Sequence, residues 1–477
     1  NEDRLTAQGG VIINAGEAVD EFARNLEQLE LLLSEEAKIK TFEEGGSTWH
    51  QLTLPPSVPQ VAWTARDQHI MIAVGEGSAA DIIKRSTTPP PQWLTTLRKE
   101  LPVERESMVS YLNIKNIYDE IRIQPETREF LLAVHALGLD NLLVMENVSG
   151  LDSRACISRS RLALDGDPRG LLMILEGGNL GDEQLATVPR NVLFSATMRV
   201  DPARLLEVLM ETVGRFEPRE MATAQRALQE FEKMLGIEIS ADLLEPLGDV
   251  WTIYNTPDEG LLSGLTVVAA IDDPQRLSGT QDQLVAFARA LQKVNQGRRP
   301  RRGDMTIREF KFAGQDVYFL NFFGASSPVA PAWCIAGNEL VIGLYPQAVK
   351  AYFMRDDTMP KLDEVPVVAR ALADDKETVF LGYTDSKKIF TLSYPLLQLF
   401  AQFACSEMQR GGFDIDNSML PASKTISQHL QPGIWSIART QTGFNFTTRK
   451  SFPTIGGVTS TLPLMAISVF PLTLLKH

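Results

Sequence analysis

The sequence is poor in histidine, with five in 477 residues, and poorer in cysteine, with three. So few imidazoles leave little material for catalytic triads or zinc hydrolysis, since both chemistries lean on histidine. His50, His69, His135, His429 and His477 are scattered, and none sits in a His-Glu-x-x-His arrangement. Cys156, Cys334 and Cys405 are odd in number and far apart, which excludes a disulfide framework or a Cys-x-x-Cys metal site and predicts buried free thiols. Phosphate cradles are missing too. No Gly-x-Gly-x-x-Gly follows a strand and no Gly-x-x-x-x-Gly-Lys-Ser/Thr occurs, so dinucleotide and P-loop chemistry lack their glycine loops and no cofactor is expected. There is no Gly-x-Ser-x-Gly elbow; Gly75-Glu76-Gly77-Ser78 reads as a turn with Ser78 capping the next helix. Asp165-Gly166-Asp167 and Asp414-Ile415-Asp416-Asn417 lack the glutamate that completes a calcium loop and read as turns.

Positive charge is also in deficit. Against 60 Asp and Glu there are 46 Lys and Arg, a net charge of −14, which disfavours nucleic acid as a partner and makes a poor surface for anionic lipid. Apolar residues make up 44% of the chain, enough for two or three compact units at roughly 100–200 residues each. Residue 1 is Asn and no basic-then-apolar leader opens the chain, so a processed or truncated N-terminus is expected.

What the chain does contain is an internal repeat. Ala62-Trp63 through Ile72 reads against Ala332-Trp333 through Ile342, 270 positions apart; Val109 to Tyr118 reads against Leu381 to Phe390, offset 272. Val11-Ile12-Ile13 parallels Val267-Val268-Ala269 at an offset of 256, so the second copy is longer between these landmarks. The hairpin Gly433–Arg439 with Phe444–Arg449 parallels Leu142–Glu146 with Ala155–Arg161. Copy two is preceded by a strand, two helices and a strand over residues 192–256, for which copy one has no room. The expected organisation is a first module at 1–185 lacking its N-terminal part, a second at 186–457 and an apolar tail at 458–477.

Alternating runs at His69–Val74, Arg308–Phe312, Val317–Leu320 and Leu340–Leu344 predict strands, with hairpin turns at Gly314-Gln315-Asp316 and Ala336-Gly337-Asn338. Val19, Phe22, Leu26, Leu29 and Leu33 predict one apolar helix stripe, as do Leu228, Phe231 and Leu235 before a capping Gly236. Asp201-Pro202 and Asp273-Pro274 read as helix starts. Hairpins mixed with helices predict an α+β fold: two tandem duplicated modules of antiparallel sheet with helices packed on a face.

Polar candidates are few. Arg298, Arg299, Arg301 and Arg302 form a basic loop suited to an acidic partner, and otherwise a solvated one. Tyr111, Asn113 and Lys115 recur as Tyr383, Asp385 and Lys387, a candidate repeated polar site whose plainer reading is two helix caps. His135, in an apolar run, reads as a hydrogen-bonded structural histidine. Ile389–Ser406 carries no charge but is interrupted by Pro395, Gln398 and Gln402, so it reads as a core or partner-facing helix rather than a membrane span. The uncharged tail from Ser451 to Leu475 is expected to pack on the protein or to contact a membrane or partner.

Leu243-Leu244-Glu245-Pro246-Leu247-Gly248-Asp249-Val250-Trp251, followed by Gly264-Leu265-Thr266-Val267-Val268, and Val188-Pro189-Arg190-Asn191-Val192-Leu193-Phe194, resemble the uncharacterised exported proteins of planctomycete-type bacteria with tandem domains of unknown function. The resemblance implies an extracytoplasmic, periplasmic or membrane-attached setting and carries no activity. The expectation is therefore a non-enzymatic scaffold or binding protein with a protein partner; a carrier of an apolar ligand, and then an unrecognised hydrolase, are the alternatives.

Overall fold

The computed structural model describes residues 8–33, 39–53, 58–86, 88–123, 127–153, 155–216, 218–260, 263–294, 305–322, 329–356, 358–374, 377–410, 418 and 420–452. The first half of the chain runs β1 (Gly9–Asn14), α1 (Val19–Leu33), β2 (Ile39–Glu44), β3 (Ser47–Leu52), β4 (Val61–Arg66), β5 (His69–Val74), α2 (Ser78–Ser86), α3 (Gln92–Glu100), β6 (Arg105–Asn113), α4 (Ile114–Arg122), α5 (Arg128–Ala136), β7 (Leu142–Asp152) and β8 (Ala155–Leu164). After α6 (Asp182–Leu185) come β9 (Phe194–Arg199), α7 (Pro202–Phe216), α8 (Pro218–Leu235), β10 (Leu247–Asn255), β11 (Leu265–Ile271), α9 (Pro274–Val294), β12 (Met305–Phe312), β13 (Gln315–Phe322), β14 (Ala332–Ala336) and β15 (Glu339–Gly343). The chain continues through α10 (Pro346–Phe353), α11 (Pro366–Asp374), β16 (Thr378–Thr384), α12 (Ser386–Arg410), α13 (Ser423–Ser427), β17 (Gly433–Thr440) and β18 (Gly443–Lys450). Among the described residues the fold is α+β, and the strand pairings set out below are antiparallel.

Two compact units are present, one within 1–112 and 145–161, the other within 113–144 and 162–451. This division follows packing, whereas the 185/186 division follows the sequence repeat. In the first unit the strand order is β2–β3–β4–β5–β1, with β1 joined to β6 by a bridge at Ile13↔Met108. In the second it is β12–β13–β14–β15–β11–β10–β9–β16–β17–β18. Strands β10 and β9 thus stand between β11 and β16.

The registers of the two units run in parallel. Trp63 faces Ile72 in the first and Trp333 faces Ile342 in the second. Val11 faces the same Ile72, and Val267 faces the same Ile342. Phe42 opposes Trp49, and Phe310 opposes Val317. The turns between these last strands, Gly45-Gly46 and Ala313-Gly314, both place two successive residues at positive φ, as a tight type I′ hairpin requires.

Burial follows the same positions. Trp49, Ala62, Met71 and Ala73 of the first sheet are covered by Ala79, Ile82 and Ile83 of α2. Val317, Ala332, Cys334 and Val341 of the second are covered by Val349, Tyr352 and Phe353 around α10. A larger core in the second unit joins Tyr254, Val268, Leu381, Tyr383 and Ile434 of the sheet to Leu362, Val365 and Val368 at α11.

Local signals account for the element ends. Asp201 Oδ1 accepts from Ala203 and Arg204 N–H, and Asp273 Oδ1 from Arg276 N–H, so both Asp-Pro pairs start helices as expected. Gly236 ends α8 at φ +73°. Two expectations are corrected. Ser78 does not accept at its helix N-terminus but donates to Val74 O at 2.6 Å. Phe22 and Phe231 lie on the stripes of α1 and α8 yet are exposed, because those helices bury their flanking residues only partly.

Candidate functional site

The repeated polar residues serve as helix starts. Asn113 Oδ1 accepts from Asn116 N–H at 2.9 Å at the head of α4, and Asp385 Oδ1 accepts from Lys388 N–H at 2.9 Å at the head of α12. Lys115 pairs with Asp119 one turn on, at 3.1 Å. Asp385 pairs with Lys388 at 3.2 Å, and Lys387 points to solvent. The two tyrosines differ in kind: Tyr111 is exposed against Trp93, with ring centroids 4.7 Å apart, while Tyr383 is buried. Burial, and then the charge of Asp385, push the Tyr383 phenol up to about 12. Each carboxylate or amide is spent on a helix N-terminus, so the motif positions helices and brings no reactive groups together.

Other candidates are structural as well. His135 Nδ1 lies 2.7 Å from Asp140 Oδ2. Asp165–Asp167 is a turn at Gly166, tied down by Asp165 N–H to Asn141 O and by Asn141 Nδ2 to Asp167 O. Of the three cysteines expected to be buried, Cys156 and Cys405 are half-buried and Cys334 alone is fully buried; burial pushes its thiol up to about 11. The basic loop Arg298, Arg299, Arg301 and Arg302, the run Asp414–Asn417 and the tail 458–477 lie outside the described residues. Among the described residues no group of three or more His, Cys, Asp or Glu side chains could hold a metal ion.

The sequence patterns give no hint of a half-buried polar cluster around the buried Tyr254 in the second unit. The Arg355 guanidinium lies between the rings of Tyr254 and Tyr352, 4.7 and 4.9 Å from their centroids. It donates to Tyr254 Oη and, at 3.0 Å, to Thr187 O, while Tyr352 Oη donates to Glu339. Desolvation pushes both phenols upward, so neither is a ready base. Every strong group here is satisfied by another, and the cluster ties β10, β15 and α10 together rather than facing a substrate. Its members lie up to 168 positions apart in the chain, so no local motif could announce it.

A pocket of about 220 Å³ in the first unit is lined by Phe42, Glu44, Gln51, Gln60, Glu76 and the Gly75–Ala80 turn into α2. It is open and half polar, unlike the enclosed apolar cavity that a lipid carrier needs.

The prominent surface feature is α12. Tyr394 holds it to the body by donating to Pro421 O beside α13. Leu392 just before that point and Leu396, Leu399, Phe400 and Phe403 beyond it are all exposed, and only 11% of its most apolar 18-residue window is buried. The core-helix expectation for Ile389–Ser406 is therefore wrong, and its partner-facing alternative remains. By length and composition α12 is the one described helix that could cross a membrane. Thr384, just before the helix, pairs with Gly433 of β17, so the segment 385–432 that contains α12 begins and ends side by side in the sheet. Comparison with protein-family models, curated proteins and solved structures finds no match.

Proposed function

We propose that the chain is a non-enzymatic extracytoplasmic scaffold or binding protein built from two copies of one α+β module, the second enlarged by β9 and β10. The observation that carries this reading is the shared register: Trp63↔Ile72 with Val11↔Ile72, and Trp333↔Ile342 with Val267↔Ile342. A one-residue slip would turn every side chain of a strand to the opposite face, so two registers kept over three strands support one module used twice. Binding rather than catalysis is supported by how the polar groups are used. Asn113 and Asp385 are consumed as caps and Arg355 in a closed cluster, whereas apolar surface on α12 is left uncovered. The extracytoplasmic setting rests on the resemblance to exported proteins. Native mass spectrometry of the protein from its source membranes tests the reading. A retained partner or lipid is expected; a bare chain that turns over a substrate would overturn it.

A further inference from the structure

We propose that the seam between β1 and β6 in the first unit is a docking site for a β-hairpin of a partner protein, which fills it as β10 and β9 fill the same place in the second unit. This deepens the binding reading above, and the comparison between units rests on the duplicated modules proposed there. β1 pairs along its whole length with β5, but among the described residues its other edge meets β6 at a single bridge, Ile13↔Met108. In the second unit the corresponding strands, β11 and β16, stand apart. β10 pairs with β11 from Leu247↔Ile271 to Asn255↔Leu265, β9 pairs with β10, and β16 pairs with β9.

Burial shows what those two strands supply. Ile12 aligns with Val268 and Tyr111 with Tyr383. Ile12 is 43% exposed where Val268 is 5%, and Tyr111 is 40% exposed where Tyr383 is 3%. The bridge puts Ile13 and Met108 on one face, so Ile12 and Tyr111, one and three residues away from them, share the other. On the matching face of the second unit the ring of Tyr254, from β10, joins Val268 and Tyr383 in one core. The first unit keeps the two flanks of that core and lacks its middle.

The chemistry of the occupant follows from the same comparison. β1 and β6 run antiparallel. One inserted strand would lie parallel to one of them, whereas two keep every pairing antiparallel, and two adjacent antiparallel strands are a hairpin. An aromatic side chain in the register of Tyr254 covers Ile12 and Tyr111, with small hydroxyl residues where Thr197 and Thr252 meet at 3.1 Å between their Oγ1 atoms. β1, from Gly9 to Asn14, carries no charge and is exposed along most of its length, the kind of edge that strand addition uses. β6 has a neighbour only on its far side, where Ser107 Oγ donates to Ser149 O of β7 at 3.2 Å. Entry breaks one bridge and gains a ladder of backbone hydrogen bonds on each side. A second copy of the chain fits less well, because its β9 and β10 are already paired on both edges.

The probe is a synthetic hairpin of Leu247–Asn255 joined through Asn-Gly to Phe194–Arg199, which keeps Asn255 facing Phe194. Hydrogen exchange of the full chain with and without this hairpin reads the site. Slowed exchange is expected at residues 9–14 and 105–113 and none in β11 or β16, which already hold their own strands. Ile12→Lys with Tyr111→Lys, both exposed in the free chain, is expected to weaken the hairpin at least about tenfold while circular dichroism stays unchanged. Unchanged exchange at 9–14 and 105–113, protection centred on β11 and β16, or equal binding by the double variant would overturn the proposal. So would a dimer in analytical ultracentrifugation whose β1 is protected without the hairpin. A protein partner retained in native mass spectrometry that leaves exchange in β1 and β6 unchanged would remove this site and leave the binding reading standing.

Discussion

Tyr383 shows what a single residue in this fold is for. Its ring closes the larger core with Leu381 and Ile434, and its phenol is held in the neutral form by burial and by Asp385, pushed up to about 12. In the unfolded chain the phenol titrates near 10, so between about pH 10 and 12 the folded protein keeps a proton that the unfolded chain gives up. Stability from this group is fully present below pH 10 and falls as pH rises through that window, by roughly 1.4 kcal/mol for each pH unit crossed. Urea midpoints measured from pH 9 upward are expected to decline steeply for the wild type and more shallowly for Tyr383→Phe. Identical slopes would show that the phenol is not desolvated. The sequence marks Tyr383 only as the partner of Tyr111. It cannot show that one is buried and the other exposed, because that depends on the strands that flank β16, among them β9, nearly 190 positions upstream.

At the scale of elements, the strands are legible in the sequence and the helix surfaces are not. Period-two alternation places β5, β12, β13 and β15, and Asp-Pro pairs place the starts of α7 and α9, because those signals act through neighbours in the chain. Whether α12 is covered depends on what packs over it, which its own residues do not encode. The same uncharged run fits a core helix, a membrane span or an exposed docking helix, and only the exposure of residues such as Leu396, Leu399 and Phe403 rules out the first. An exposed face adds little to folding. Leu399→Ala is therefore expected to change unfolding free energy by less than about 1 kcal/mol, whereas Leu381→Ala, in the core of β16, is expected to cost about 2–5 kcal/mol. Denaturant titration distinguishes the two, and equal costs would mean that α12 is covered in the free protein.

At the scale of the whole molecule, the likeness of residues 62–72 to 332–342 is legible from the amino acids alone, because both stretches keep Ala-Trp and a strand pattern. Their pairing partners follow suit, down to the positive-φ turns at Gly45-Gly46 and Ala313-Gly314. Less legible is the architecture of the second unit, where β9 and β10 enter between β11 and β16 and bring Tyr254 into the core beside Arg355. Those strands come from residues 194–255, for which the compared stretches offer no parallel, so that comparison cannot foretell where they insert. On the proposed reading, the second copy carries both these strands and an uncovered helix that the first lacks. The most direct measurement of the binding reading is native mass spectrometry of the intact chain from its source membranes. A retained partner or lipid is predicted; a bare chain that turns over a substrate would contradict it.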